Sequence, residues 1–421
     1  MQTTQHNKII SFLIWLSITM FYCYQSVLRM LPNIISDDVM AQFNVGAAEF
    51  GSFAGIYYIG YIVVHIPIGI ALSKIGARKI LPICIILTAI GLLPLILPLG
   101  WNSVIIGRAL IGIGSSAASV GALQIFRIIY PAHFARMLGL MVSLGLLTAG
   151  YAGGPLATIL LKIGMQSMVN ILLYAGLSLA LATYFLMPKS TEEVSENNIM
   201  SDIKAVLFNY KLLFTSLFAG LMIGPMEGFA DAWGSVFLMN VYGVEKIAAD
   251  ILTLSIVLGM SFGCVILPFV TDKTGYYFGV TIGSGIVMFM CFAYMLTGTA
   301  HIAALNYICI IIGIFSAYQV VILAKIATFV SEERSGMAGA VANMIMMAFG
   351  GFFHNAIGRT LEHSWDGTLV NGAPQYSGEA FISSISIIPS SIIVAVIGLT
   401  AIAMTIFIKA KKAKLAEISS N

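Results

Sequence analysis

Apolar runs of membrane-crossing length recur from one end of the chain to the other, separated by short polar breaks. A helix needs about 20 apolar residues to cross a bilayer, and about twelve segments meet that length. They lie near 9–35, 50–72, 79–98, 101–126, 138–161, 165–187, 211–240, 249–271, 277–298, 302–330, 336–359 and 381–408. The pattern predicts an all-α membrane protein with twelve transmembrane helices. The first run is longer than the apolar core of a signal peptide and lacks a small-residue cleavage site, so it reads as a span. The longest polar stretch before span eleven, 188–210, holds Lys189, Glu192, Glu193, Glu196, Asp202 and Lys204. It reads as a cytoplasmic linker between two six-helix halves, 1–187 and 211–421.

Composition removes the alternatives to a membrane protein. Of 421 residues, 59% are hydrophobic and 9% charged, against about 25% charged in soluble domains. Too little polar surface remains for a soluble enzyme, a nucleic-acid binder or a disordered chain. The 41 glycines suit helices that approach closely in lipid. The net charge of +3 is too small to argue for a polyanionic partner. Cys23, Cys84, Cys264, Cys291 and Cys309 all lie in apolar stretches without a CxxC, so they read as small buried hydrophobes. No metal site and no cofactor are indicated.

Charge sets the orientation. Lys74, Arg78 and Lys79 follow span two, Arg127 and Arg136 separate spans four and five, and Lys189, Lys204 and Lys211 mark the linker. Lys273 follows span eight, Arg334 follows span ten, and Lys409, Lys411, Lys412 and Lys414 form the tail. All fall on one side if both termini are cytoplasmic. The opposite loops hold mainly Asp37, Asp38, Glu49, Glu245, Lys246, Asp250, Glu362, Asp366 and Glu379. The expected location is a cell inner or plasma membrane, as a monomer.

The loop after span two reads Gly69-Ile-Ala-Leu-Ser-Lys-Ile-Gly-Ala-Arg-Lys79, and that after span eight Pro268-Phe-Val-Thr-Asp-Lys-Thr-Gly275. Aligning Lys74-x-Gly76 with Lys273-x-Gly275 gives an offset of 199 residues, close to half the chain. A duplicated six-helix unit explains it. Span four opens Gly107-Arg108-Ala-Leu-Ile-Gly112-Ile-Gly114, and span five ends Gly150-Tyr-Ala-Gly-Gly154-Pro155. In these residues the chain resembles the major facilitator superfamily, whose signatures include G-x-L-x-D-[RK]-x-G-[RK]-[RK], R-x-x-x-G-x-G and G-x-x-x-G-P. Gly69, Lys74, Gly76 and Arg78 match the first, and Lys79 follows directly; Ser73 replaces its acid, and Asp272 keeps it in the second copy. The resemblance implies two pseudo-symmetric halves rocking around a midplane site. It also implies a conformational gate at Gly69, Lys74, Gly76, Arg78, Arg108, Gly154, Pro155, Asp272, Lys273 and Gly275. The family's loop carboxylate latches one state; Ser73 cannot form a charged pair, so Asp272 is the candidate latch. Topology alone would also account for these charges.

An ionisable side chain within a span is costly unless it meets a cavity or a partner, so the few present are candidates for function. Arg29, toward the outer part of span one, is placed like the first-helix arginine of organic-anion carriers in this superfamily, which binds a substrate carboxylate. A guanidinium stays charged and grips a carboxylate with two parallel hydrogen bonds. Snorkelling to the interface is the alternative. Glu227 and Asp231, four apart in span seven, share a helical face and are candidate proton carriers, with Glu227 also a candidate ligand for a substrate amine; a structural pair with Lys325 is the alternative. The repeat offset carries Arg29 onto Gly228, so Glu227 is expected near Arg29 across the pseudo-twofold axis. Lys325 in span ten is either a second site for an anion or a cytoplasmic-end anchor. Tyr22, Tyr24, Gln25, Tyr57, Tyr58, Tyr61, Tyr318 and Gln319 are candidate cavity residues, though Tyr57, Tyr58 and Tyr61 cannot all face one way. Intramembrane His65 and His354 read as helix contacts or as groups titrating near neutrality. Ser115 or Ser116 stands where organic-anion carriers often place a proton-carrying acid.

No Walker A sequence, HExxH or histidine cluster occurs, which argues against ATP as the energy source and against an enzyme. The expected activity is secondary transport of a small carboxylate-bearing or zwitterionic solute (an organic acid, amino acid or short peptide), coupled to a proton or another ion. The alternatives are a drug or metabolite efflux antiporter and a nutrient receptor that does not transport. The short tail argues against the receptor.

Overall fold

A computed structural model describes residues 8–419 except 46, 98, 188–203, 365–368, 371–372 and 375. The described residues contain eleven helices long and apolar enough to cross a membrane, or twelve if one bent pair counts as a single span. A two-residue antiparallel ladder, Leu369–Val370 with Ala373–Pro374, lies in a loop. The linker proposed at 188–210 lies mostly outside the described residues.

The helices pack as two compact units. One contains 1–208 and 330–344; the other contains 209–329 and 345–421. The start of span eleven therefore belongs with the first unit.

In the first unit α1 (Lys8–Phe43) packs on α6 (Phe134–Leu186), and α2 (Ala47–Val63) on α5 (Trp101–Ile129). Helix α3 (His65–Ile75) continues span two, and α4 (Ala77–Ile90) packs on both α5 and α6. Spans five and six run together as α6, broken only at Gly164, whose φ of 76° is readily available to glycine alone. In the second unit span seven is α7 (Tyr210–Gly220), a π-helical stretch Pro225–Trp233, and α8 (Gly234–Tyr242). There follow α9 (Lys246–Thr274), α10 (Tyr277–Met295), α11 (Ile302–Ser316) and α12 (Tyr318–Ala327). Helix α13 (Ser335–His363) starts in the first unit and ends in the second; α14 (Gly378–Ile385) and α15 (Ile387–Ser419) close the chain.

Glycine lets spans two and four, and spans eight and ten, meet backbone to backbone. A Cβ on Gly60 would stand 2.6 Å from the Ala109 carbonyl, and one on Gly112 would overlap the Tyr57 carbonyl. In the second unit, Cβ atoms on Gly259 and Gly313 would overlap the carbonyls of Ile310 and Ile256. Gly60 and Gly259 are separated by the same 199 residues as the repeated loops.

Proline sets the bends. Its ring nitrogen cannot donate to the carbonyl four residues earlier. Pro67 accompanies the break at Val64, where Gly55–Val63 and His65–Ile75 meet at 44°. Pro225 follows the irregular turn 221–224, and Pro389 follows the break at Ser386.

Candidate functional site

In lipid no water takes a carbonyl that a proline has orphaned, so a neighbouring helix must. Pro32 inside α1 leaves the Leu28 carbonyl without its donor. Arg108, 2% exposed, supplies one: Nη1 donates to the Leu28 oxygen at 2.7 Å and Nη2 to the Arg29 oxygen at 3.1 Å. The guanidinium also lies 4.7 Å from the Tyr57 ring centroid and 5.5 Å from that of Phe53. Carbonyl dipoles and aromatic faces hold its charge, while its Nε has no hydrogen-bond partner among the described residues.

Arg29, half-buried, lies within electrostatic reach of both Arg108 and Tyr57. The Tyr57 hydroxyl donates to Gln25 Oε1 at 2.7 Å, Gln25 Nε2 to Ser26 Oγ at 3.1 Å, and Ser26 Oγ to the Tyr22 carbonyl at 2.7 Å. The Arg108 guanidinium, the Tyr57 phenol and the Gln25 amide thus meet, with the Arg29 charge within electrostatic reach. The structure brings together Arg29, Gln25, Tyr57 and Arg108 from the sequence candidates.

Phe53, Tyr57, Tyr61, His65 and Gly69 recur every four residues, which places them on one helical face. The rings of Tyr57 and Tyr61 stack at 5.9 Å, and those of Tyr61 and His65 meet edge-on at 4.5 Å. Tyr61 shares a hydrogen bond of 2.9 Å with Ser119. His65 Nδ1 faces the Tyr61 carbonyl, an acceptor, so Nδ1 carries the proton. Nε2 then accepts from Asn343 Nδ2 at 3.0 Å. Below this, Gly69 presses against Met337, and Arg127 Nη2 donates to the Val330 carbonyl at 3.0 Å. Tyr58 points outward instead, 42% exposed. Tyr24 also leaves the cluster: its hydroxyl donates to the Leu172 carbonyl at 2.9 Å, a helix-packing contact.

The second unit repeats the device of a side chain capping an opened backbone. Pro225 orphans the Leu221 carbonyl, and Ser391 Oγ donates to it at 2.9 Å. The Tyr318 hydroxyl donates to the Ala219 carbonyl at 2.7 Å. Glu227 stands in the π-helical stretch, against Gly350 and within electrostatic reach of Tyr318. π-Helical turns collect at functional sites. Gln319 is buried with Nε2 unpartnered among the described residues. Asp231 lies on the same stretch, but its side chain lies outside the described ones. Lys325 is in the last turn of α12, two turns beyond Tyr318 and 5.8 Å from the Tyr277 and Phe329 rings.

The two signature loops turn on glycine. Gly76 has φ 91° and Gly275 φ 71°, and each N–H caps the preceding helix. Ser73 Oγ donates to the Gly69 carbonyl at 3.0 Å, and Gln124 Nε2 to Ser73 Oγ at 3.4 Å. Lys74 is half-buried. Arg78 lies over Tyr184 at 4.9 Å and Lys273 over Phe269 at 4.4 Å; Asp272 is half-buried beside Tyr277. Gly154 and Pro155 are helical, but their side-chain surroundings lie outside the described ones.

Sequence reasoning missed Asn343 and Ser391 as partners. The signal for Ser391 was present in Pro225, which announces an orphaned carbonyl but not who caps it. For Asn343 the sequence offered no comparable sign, since span eleven holds two asparagines, Asn343 and Asn355, and nothing in it distinguishes them.

The family model of the Major Facilitator Superfamily matches residues 9–354. A quinolone resistance transporter of Acinetobacter baumannii is 29% identical over 164 residues, covering 37% of this chain and 37% of that relative. The probable nitrate transporter NarT of Staphylococcus epidermidis is 22% identical over 347 residues, covering 80% and 85%. The structure of FucP in the outward conformation superposes with a TM-score of 0.71 at 13% identity, covering 92% of this chain and 99% of that one. A bacterial homologue of the human lysosomal transporter Spinster, inward-facing, gives 0.57 at 18% identity, covering 96% and 98%.

Proposed function

Because the chain belongs to the Major Facilitator Superfamily, we propose that it is a secondary transporter of a small carboxylate-bearing or zwitterionic solute, driven by a proton gradient. The observation that carries this reading is the buried Arg108 beside Arg29, Tyr57 and Gln25. Two guanidiniums raise the local positive potential, and low dielectric strengthens their pull on an anion. Arg108 spends two of its donors on carbonyls of α1, so it is a positioning residue that fixes the turn carrying Arg29. Arg29 is the group that contacts the solute carboxylate. Tyr57 and Gln25 orient it by hydrogen bonds.

On this reading Glu227 and Asp231 carry the coupling proton, and Tyr318 and Gln319 complete the polar lining in the second unit. Lys325 serves as an anchor at the cytoplasmic end, and both termini are cytoplasmic, in a cell inner membrane. The gate residues are those of the two signature loops. One relative is named for nitrate, an oxyanion planar like a carboxylate, which agrees with an anion site. Another is named for quinolone resistance, and this favours efflux as the second reading.

Reconstitution into proteoliposomes separates them. We expect carboxylate uptake to be stimulated by an inwardly directed proton gradient and to lose that stimulation in Glu227→Gln, while exchange without a gradient persists. Gradient-stimulated uptake unchanged in both Glu227→Gln and Asp231→Asn would remove the proton assignment. Stimulation only by an opposed gradient would favour efflux, and no flux despite binding would favour a receptor.

A further inference from the structure

Where α7 begins and α15 leaves the membrane, the two helices leave a groove of about 300 Å³ between them. On α15 its wall is Gly398, Ala401, Ile402, Thr405 and Ile406, one face of the helix at spacings of three and four. On α7 it is Tyr210, Lys211, Phe214 and Phe218. The rings of Phe214 and Phe218 stack at 6.5 Å, and Gly398 makes room for Phe218, since a Cβ there would overlap that ring. The groove follows nine residues of helix, about 12 Å, from Gly398 at its deep end to Ile406 near the membrane edge.

Two features fix its occupant. The floor is apolar and lies within two spans, so a hydrocarbon chain covers it. Its shallow end carries Lys211, half-buried, with no hydrogen-bonding or ionic partner among the described residues. Three residues past Ile406 the same helix continues through Lys409, Lys411, Lys412 and Lys414. An apolar slot that ends in a lysine, beside a run of lysines at the membrane surface, complements a lipid with an anionic headgroup. We propose that this groove binds one anionic phospholipid. Its acyl chain lies along Gly398, Ala401 and Phe218, and its phosphate meets Lys211.

The transport reading does not enter this inference, and transport need not be measured to test it. The full-length protein in detergent is titrated with phosphatidylglycerol or with phosphatidylcholine of the same acyl chains, and bound lipid is counted by native mass spectrometry. We expect one site that prefers phosphatidylglycerol by about fivefold, the effect of a single lysine near an anionic surface. Lys211→Ala removes the preference and Lys211→Arg keeps it. Ala401→Trp, which fills the slot, lowers occupancy by both lipids. Lys8→Ala, an exposed lysine outside the groove, changes nothing. Equal retention of the two lipids by the unaltered protein would overturn the proposal. So would a loss in Lys8→Ala as large as that in Lys211→Ala.

Discussion

Arg108 is a cation that the sequence places in a membrane span and the structure ties to a proline. Its two hydrogen bonds reach the Leu28 and Arg29 carbonyls, and Pro32 is the reason the first is vacant. This predicts a specific non-additivity. Arg108→Met alone leaves the Leu28 carbonyl buried and unsatisfied and should cost about 1–3 kcal/mol of stability. Pro32→Ala restores a backbone donor, so the same arginine substitution made in Pro32→Ala should cost about 1 kcal/mol less. Thermal unfolding of the four proteins in detergent reads the coupling. Strict additivity would mean that the arginine does not serve the orphaned carbonyl.

At the scale of the element, span two and the start of span eleven meet through one histidine and one asparagine. His65 Nε2 has no water to turn to when Asn343 is removed. Asn343→Leu should therefore lower stability by about 1–3 kcal/mol, whereas His65→Phe combined with Asn343→Leu should lie closer to the unaltered protein, because both partners then become apolar. A double variant as unstable as the sum of the singles would show that the pair is not a unit. Such pairs mark the limit of what the sequence could show. Hydrophobic length places the spans, since backbone groups in lipid permit little besides helices. The bends at Pro67 and Gly164 were not read from the apolar runs, which give length but not direction. The π-helical stretch around Glu227 was not foretold, because a run of nine residues reads alike as α or π; only the backbone hydrogen-bond register distinguishes them. Arg29, Gln25 and Tyr57 could be selected by residue type and position. Tyr24 had the same credentials, and only the direction of its hydroxyl, toward Leu172, sets it apart.

For the whole molecule, scarcity of charge is what makes the account specific. Only 9% of the residues are charged, and most lie near the ends of the apolar runs. A membrane protein that keeps Arg29 and Arg108 in reach of each other maintains a costly positive site, which an anionic solute would stabilise. The most direct test is the shift in thermal stability of the purified protein with amino acids, short peptides, organic acids, nitrate and apolar cations. A ligand at about 100 times its Kd stabilises the folded state by about 2.7 kcal/mol. The account predicts such a shift with a carboxylate-bearing solute, its loss in Arg29→Ala, and its partial retention in Arg29→Lys, which keeps the charge without the bidentate grip. Shifts confined to apolar cations, or a carboxylate shift undiminished in Arg29→Ala, would contradict it.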